Sequence, residues 1–355
     1  MQSFLDVERT LAGQPARLGG KLARLDVGRG REGMFRDQLP ELLRALAEET
    51  RIASITASNA IEGVTVAAER AEVLAAPGAE RPFRNRSERE FAGYRDAIDE
   101  ITRAEGSEPI SLAYMLHLHR LLFRYTEEPG GALKIESNQI ASYERGHREI
   151  VFEPPPPSRT EGLLRGLVDA YTAADKDQLG HPVIVIGAFI LDFLAIHPVA
   201  DGNGRLARLL TSHLLLQHGY GVVRFVSIEQ RILDTKGGYY AALRESQVGW
   251  HEGEHTIWPW ITYLIEILSE ASDDFEARIA SRRSLEGMSK QARVREYLLN
   301  HAAPLVRMRE IRRALPGVSD QTIRLVLAQM RDEGLIELDR EIGKRGRQAT
   351  WRRIG

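Results

Sequence analysis

The feature that most constrains this chain is the run Pro182–Ile196, PVIVIGAFILDFLAI, which is apolar on every side and interrupted by one charge, Asp192. A helix without a polar face must be surrounded by other material. The run is shorter than the ~20 residues of a membrane span. It therefore predicts the buried core helix of a cytoplasmic protein, with no membrane partner. The first residues, MQSFLDVERT, carry no apolar signal core. With no cysteine, disulfides, thiolate metal sites and cysteine nucleophiles are excluded.

Amphipathic periodicity fills most of the rest. Leu39, Leu42, Leu43, Leu46 and Ile52 recur at spacings of three and four, which predicts a helix over 36–60. Similar patterns predict helices over 89–103, 111–125, 161–174, 205–217, 239–246 and 257–272. Residues 135–152, IESNQIASYERGHREIVF, read instead as a hairpin around Gly146, stopped by Pro154–Pro157. The polar segment 278–290 reads as a linker. Beyond it, residues 291–355 hold 14 Arg and Lys against 8 Asp and Glu, a net of +6, whereas the whole chain carries -2 and the remainder therefore -8. Such asymmetry marks a separate C-terminal module.

The chemistry concentrates in His197-Pro198-Val199-Ala200-Asp201-Gly202-Asn203-Gly204-Arg205-Leu206-Ala207-Arg208. Pro198 and the glycines forbid regular helix, and the apolar residues from Leu206 restart one. Gly202-Asn203-Gly204 is thus a loop entering a helix N-terminus, where positive-φ residues form an anion nest and free N–H groups face an anion. Arg205 and Arg208, three apart, sit on the same first turn. A phosphate chain is the natural ligand. Asp201 suits Mg²⁺, which uses one or two carboxylates plus phosphate oxygens. His197 suits proton removal near neutral pH. Together these are the parts of metal-assisted phosphoryl transfer.

The segment resembles the signature of the Fic family, His-Pro-Phe-x-(Asp/Glu)-Gly-Asn-Gly-Arg-x-x-Arg, with Val199 in place of the aromatic and expected to pack inward. The resemblance implies a mainly α fold: an all-helical Fic core with a small β-hairpin flap. It implies transfer of AMP from ATP to a Ser, Thr or Tyr hydroxyl of a protein, self-modification included. His197 would deprotonate the target hydroxyl. Asp201 would hold Mg²⁺ on the α- and β-phosphates. Gly202, Asn203 and Gly204 would hold the α-phosphate, and Leu206 and Ala207 would belong to the nucleotide-binding residues. Arg205 and Arg208 would bind the leaving phosphates. Relatives that transfer a terminal phosphate carry lysine at the position of Gly204 and lack Gly202, so AMP transfer is the implied reaction. Residues 131–157 resemble the flap, where Ile140, Ala141 and Ser142 would pair with the target as an added strand; Lys134 stands where arginine is usual. Residues 239–250 resemble the region whose tyrosines approach adenine, Tyr240 among them. Ser58-Asn59-Ala60-Ile61-Glu62-Gly63 resembles the motif of self-inhibited members, in which Glu62 would pair with Arg208 and deny it to the γ-phosphate.

The resemblance divides the chain into an N-terminal helical region with the inhibitory motif (1–105), the Fic core (106–275), a linker (276–290) and a C-terminal domain (291–355). Within the last, helices over 292–301, 308–314 and 320–333 precede two β-like runs, and Ser319 is a good N-cap. This order resembles a winged helix-turn-helix. Gln321, Thr322 and Arg324 would begin a recognition helix, with Lys344, Arg345 and Arg347 on the wing near phosphates of duplex DNA. A protein-interaction role for this module stays open, as do a homodimer, removal of AMP through Glu62, and a DNA-binding regulator whose Fic-like part senses nucleotide. Two literal motifs are set aside. Gly28–Gly33 spells G-x-G-x-x-G without the βαβ context a dinucleotide site needs and reads as a flexible connector. His251–His255 spells H-E-x-x-H, but Gly253 at its centre disfavours the helix that a zinc site requires.

Overall fold

The computed structural model describes residues 2–5, 7–76, 82–144, 147–284, 288–315, 317–339 and 350–354. The chain divides into two units, Met1–Phe35 with Leu46–Ser272, and Arg36–Ala45 with Asp273–Gly355. In chain order α1 (Val7–Ala12), α2 (Ala16–Gln38), α3 (Pro40–Ile61), α4 (Ala68–Ala75), α5 (Arg86–Ala104) and α6 (Leu112–Leu122) lead to a hairpin of β1 (Ile140–Glu144) and β2 (His147–Phe152). Then come α7 (Pro157–Lys176), α8 (Pro182–Ile196), α9 (Asn203–Gln217), α10 (Ile228–Asp234), α11 (Lys236–Gln247) and α12 (Trp258–Ser284).

Local chemistry sets many boundaries. Asn85, Ser111 and Ser227 cap α5, α6 and α10 by accepting a backbone N–H. Proline occupies the first turn of α7 and α8, where its missing N–H costs nothing. Every residue of α8 from Val183 to Ile196 is buried, packed against α7 and α9. Its one charge, Asp192, is satisfied by Trp250 Nε1 (2.7 Å) and by the hydroxyl (2.7 Å) and backbone N–H (3.1 Å) of Ser3. Burial pushes this carboxyl up from its ordinary range. Elsewhere α12 lies on Gly187, with Trp260 Nε1 donating to its carbonyl at 2.9 Å.

The second unit contains α13 (Lys290–Glu296), a wider turn over 297–301, β3 (Leu305–Arg307), α14 (Met308–Ala314), α15 (Asp320–Asp332), β4 (Ile336–Leu338) and β5 (Thr350–Arg353). The strands pair antiparallel in the order β3-β5-β4. Val294, Leu298, Ile311, Ile323, Met330 and Ile336 form its core. Ser319 caps α15 by accepting from Thr322 N at 3.2 Å.

Four readings of the sequence need correction. Gly28–Gly33 is not a connector but part of α2, because buried Leu18, Leu22, Leu25 and Glu32 anchor that helix and tertiary burial outweighs the glycine cost of about 1 kcal/mol each. The segment from 276 to Ser284 is helical rather than linker, since Phe275 and Ile279, four apart, continue a buried side of α12. Asn203 and Gly204 already belong to α9. Strand β3 was not anticipated: three residues are too few for a visible alternation.

Helix α5 touches the chain at the end of α6 through Gly93, where an added Cβ would collide with the backbone carbonyl of Leu122. Gly93→Ala should cost at least about 2 kcal/mol. Gly162→Ala on α7, with nothing within 4 Å of its Cβ, should be neutral or stabilising by up to about 1 kcal/mol. Thermal unfolding of the two variants checks this; equal melting temperatures would contradict the close approach.

Candidate active site

Between α8 and α9 the chain reverses in six residues. His197 ends α8 in the left-handed region (φ 49°), and Gly202 opens α9 at φ 85°. A side chain at Gly202 would also press on the Phe123 ring, 2.9 Å from its Cβ. Val199 packs inward and is buried, as expected of the residue standing for the aromatic. The first helical bond of α9 runs from Leu206 N to Gly202 O at 2.9 Å, which leaves the preceding N–H groups of the first turn without intrahelical partners. They open onto a cavity of about 680 Å³ lined by the whole turn from Ala200 to Gly204, by His197 and Arg208, by Gln139–Ala141 and Val151 of the hairpin, by Glu62, and by α11. That size suits a small-molecule site.

His197 Nδ1 lies 3.2 Å from the carbonyl of Leu194. A carbonyl only accepts, so Nδ1 carries the proton and Nε2 is the basic nitrogen. Burial, assisted by the charge of Lys134, pushes the imidazole down to about 4, against the opposing pull of the Leu194 carbonyl, Glu62 and Asp201. The ring is therefore neutral, and competent as a base, throughout the physiological range.

Asp201 Oδ1 accepts from Gly202 N at 2.6 Å, and its carboxylate is 55% exposed. Among the described residues no cluster of three or more histidines and carboxylates could hold a metal. One exposed carboxylate at a phosphate-shaped nest fits an ion such as Mg²⁺ that arrives with the nucleotide.

Two motif side chains make contacts that the sequence does not reveal. The Asn203 side chain is buried and closed on Val199, accepting from its N at 3.1 Å and donating to its O at 2.8 Å. It pins the turn, so only its backbone faces the cavity. Arg205 is turned into the protein, paired with buried Glu90 and lying 5.3 Å from the Phe123 ring centroid. Its guanidinium also lies 3.7 Å from the Asp201 carboxylate, while its Nε has no partner. The Leu206 and Ala207 side chains are likewise buried.

Arg208 is a buried cation at the cavity, which Lys236 and Arg244 also line. Its guanidinium is buried and donates to Glu62 Oε1 (2.8 Å), Ser58 Oγ (2.8 Å) and the Ser58 carbonyl (3.0 Å), while Nη1 has no partner. Ser58 and Glu62 lie one turn apart at the end of α3. Gly63, at φ 80°, closes that helix by the paired bonds Gly63 N to Ala60 O and Val64 N to Asn59 O, 3.0 Å each. The turn aims Glu62 at the start of α9, where its carboxylate fills the space that a Cβ at Gly204 would need. Burial raises the Glu62 carboxyl, but Arg208 above all, with Arg205 and Lys236, outweighs this and holds it below its ordinary range.

Several supports had no role assigned from the sequence. Lys134, buried, donates to Asn138 Oδ1 (2.9 Å) and the Ile196 carbonyl (3.0 Å), and burial pushes it down to about 8. Asn138 Nδ2 donates to the carbonyls of His197 and Val199, 3.1 Å each. His119 bridges Gly131 N (2.9 Å) and the Asp201 carbonyl (3.1 Å). All three act on backbone that the fold alone brings near. Tyr240, exposed, and Lys236 line the α11 wall as well.

In the flap β1 pairs antiparallel with β2, Ala141 opposite Ile150 and Ser142 opposite Glu149. Ile140 and Ala141 face the cavity. The turn residues 145–146 lie outside the described residues. In the second unit Gln321 and Arg324 are exposed on the first turn of α15, and Thr322 Oγ1 is 2.9 Å from Ser319 Oγ. Lys344, Arg345 and Arg347 lie outside the described residues. His251–His255 is no helix: Gly253 has φ 74°, His251 stacks on Phe152 (5.2 Å), and His255 Nε2 meets Ser3 Oγ at 2.9 Å.

A histidine held in this way should titrate at about 4, with Nδ1 protonated at pH 7. Ring-nitrogen NMR of the intact protein from pH 3 to 8 measures both; a midpoint near the ordinary 6.5 would contradict the burial argument.

The family model for the Fic/DOC family matches residues 109–215, a span that includes α6, the flap, α8 and the turn. Among curated proteins, "Protein adenylyltransferase Fic" of Nematostella vectensis is 26% identical over 244 residues, 66% of this chain and 51% of that protein. The chain thus spans about half the length of this relative. Two solved structures share the fold. A Fic family protein from Desulfovibrio desulfuricans G20 has TM-score 0.56 and 21% identity, covering 94% of this chain and 96% of its own. A Fic domain-containing signaling protein from Bacteroides thetaiotaomicron has TM-score 0.59 and 20% identity, covering 71% and 95%. The turn that joins α8 to α9, with the helices around it, lies within the part of the chain that matches the Fic/DOC family model, and this part has the fold of a Fic domain.

Proposed function

We propose that this protein transfers AMP from ATP to a hydroxyl side chain of a protein, itself included, and that Glu62 restrains it. The observation that carries this reading is Arg208: a buried guanidinium at an open anion nest, with the basic nitrogen of His197 on the same cavity and a carboxylate of the chain's own α3 as its partner. The relatives named protein adenylyltransferase support the reaction class.

The reaction follows from the parts. The target hydroxyl gives its proton to His197 Nε2. Its oxygen bonds the α-phosphorus as the bond from that phosphorus to the bridging oxygen breaks, and pyrophosphate leaves. The N–H groups opening α9 take the α-phosphate charge, where a preorganised donor is worth most. Asp201 would hold Mg²⁺, whose contribution is to neutralise the polyphosphate. The strand pair β1–β2 offers a sheet edge on which an extended target segment could lie. With Glu62 in place, Arg208 is taken and the phosphate chain lacks its outer anchor; a small misplacement of the α-phosphate costs about 10²-fold.

Incorporation of α-labelled AMP tests this. Glu62→Gly should raise the rate at least about tenfold, ~1.4 kcal/mol. His197→Ala should lower it by about 10²–10⁴-fold with the fold intact. Arg208→Ala should not mimic Glu62→Gly, and the double variant should behave as Arg208→Ala alone. An unchanged rate in folded Glu62→Gly would sink the inhibitory part. Activity in His197→Ala within about threefold of wild type would sink the base.

We read the second unit as a winged helix-turn-helix that contacts duplex DNA through the first turn of α15. The turn between α14 and α15 and the antiparallel order β3-β5-β4 support this. Removing residues 291–355 should leave AMP transfer measurable. DNA affinity of the full chain should fall steeply with salt; no binding at low salt would favour a protein partner instead.

A further inference from the structure

The end of α3 is held at a second point, opposite Arg208. Its closing bonds use the Ala60 and Asn59 carbonyls, and the carbonyl of Ile61, the last helical residue, is taken by Lys236 Nζ at 2.5 Å. Terminal helix carbonyls need such partners, and a cation is the favourable one. Lys236 opens α11, lines the same cavity as His197 and Arg208, and reaches along its own helix to Tyr240, 5.9 Å from that ring's centroid. No motif singles it out. Glu62 therefore sits between two cations: Arg208 holds its carboxylate, and Lys236 holds the backbone one residue before it.

These two holds differ in kind. Arg208 binds a charged oxygen. Lys236 binds a neutral carbonyl, whereas an anionic phosphate oxygen would add charge–charge attraction to the hydrogen bond. An entering nucleotide brings such oxygens into the cavity that Lys236 already lines. We propose that Lys236 is a positioning residue with two mutually exclusive partners: the Ile61 carbonyl when α3 is latched over the cavity, and an anionic group of the bound nucleotide once Glu62 is displaced. This rests on the inhibitory reading of Glu62 and adds the coupling between nucleotide arrival and release of the helix end.

The consequence is a change of sign. Lys236→Met removes charge and donor but keeps an apolar stem beside Tyr240. In the otherwise wild-type protein it loosens the latch, so binding of Mg·ATP, measured by calorimetry on the full chain, should tighten about threefold or more. In the Glu62→Gly background there is no latch to loosen, and the same substitution should weaken Mg·ATP binding about threefold or more. Lys236→Arg should change neither by more than about twofold. A merely structural lysine would shift both backgrounds in the same direction, and that result overturns the proposal; thermal melting of each variant identifies one that fails to fold. If Glu62→Gly by itself leaves Mg·ATP binding unchanged, it is the inhibitory reading that fails. If Glu62→Gly tightens binding but Lys236→Met does not reverse sign between the backgrounds, only the role of Lys236 falls.

Discussion

A guanidinium buried as deeply as that of Arg208 must have a partner. Leaving such a charge unpaired in a protein interior costs about 3–5 kcal/mol, and one of its nitrogens already goes without. The site around it offers three things: the hydroxyl and carbonyl of Ser58, the carboxylate of Glu62, and the open anion nest at the start of α9. Ser58 satisfies hydrogen bonds but not charge. Only Glu62 or an incoming phosphate satisfies both, and they compete for one face. The Arg208–Glu62 pair is thus a consequence of burial rather than an added device. In the reading proposed above, the same demand that would position Arg208 for a polyphosphate makes it hold the nearest carboxylate until one arrives.

The surrounding architecture serves to keep that competition in register. The apolar helix α8 has no freedom to rotate, since every side is packed. It delivers His197 at a left-handed cap, and Asn203 clasps Val199 so that α9 restarts at a fixed angle. Glu90 pairs with Arg205, while Arg208 at the nest pairs with Glu62. Asn138, Lys134 and His119 then tie the flap and the α6 end to the turn's backbone carbonyls. Catalytic side chains and the strand pair beside them are bound to one piece of main chain.

How much of this could be read in the sequence followed from how local the chemistry is. The turn was legible because base, carboxylate, nest and arginine are contiguous. Helix α5 was legible from periodicity, α8 from its continuous apolar run and α15 with the help of the Ser319 cap. Glu62 was legible only through resemblance; SNAIEG by its residues is an ordinary helix end with a Gly63 cap. The side-chain partners of Asn203 and Arg205, the Val199 backbone and Glu90, could not be read in the sequence because these contacts depend on the fold. Lys134 was noticed only as a departure from the flap pattern, and Asn138, His119 and Lys236 were invisible, since each bonds a backbone carbonyl or amide that any residue type could present. The glycines of α2 misled because local propensity there is overruled by Leu18, Leu22 and Leu25 in the core.

The measurement that tests the central claim most directly is a crystal structure of the Glu62→Gly protein with Mg·ATP. The account predicts the Arg208 guanidinium on a terminal phosphate oxygen, the α-phosphate over the N-terminus of α9, and His197 Nε2 facing the α-phosphorus. A nucleotide whose phosphates lie away from Arg208, with that arginine still closed on Ser58 alone, would contradict it.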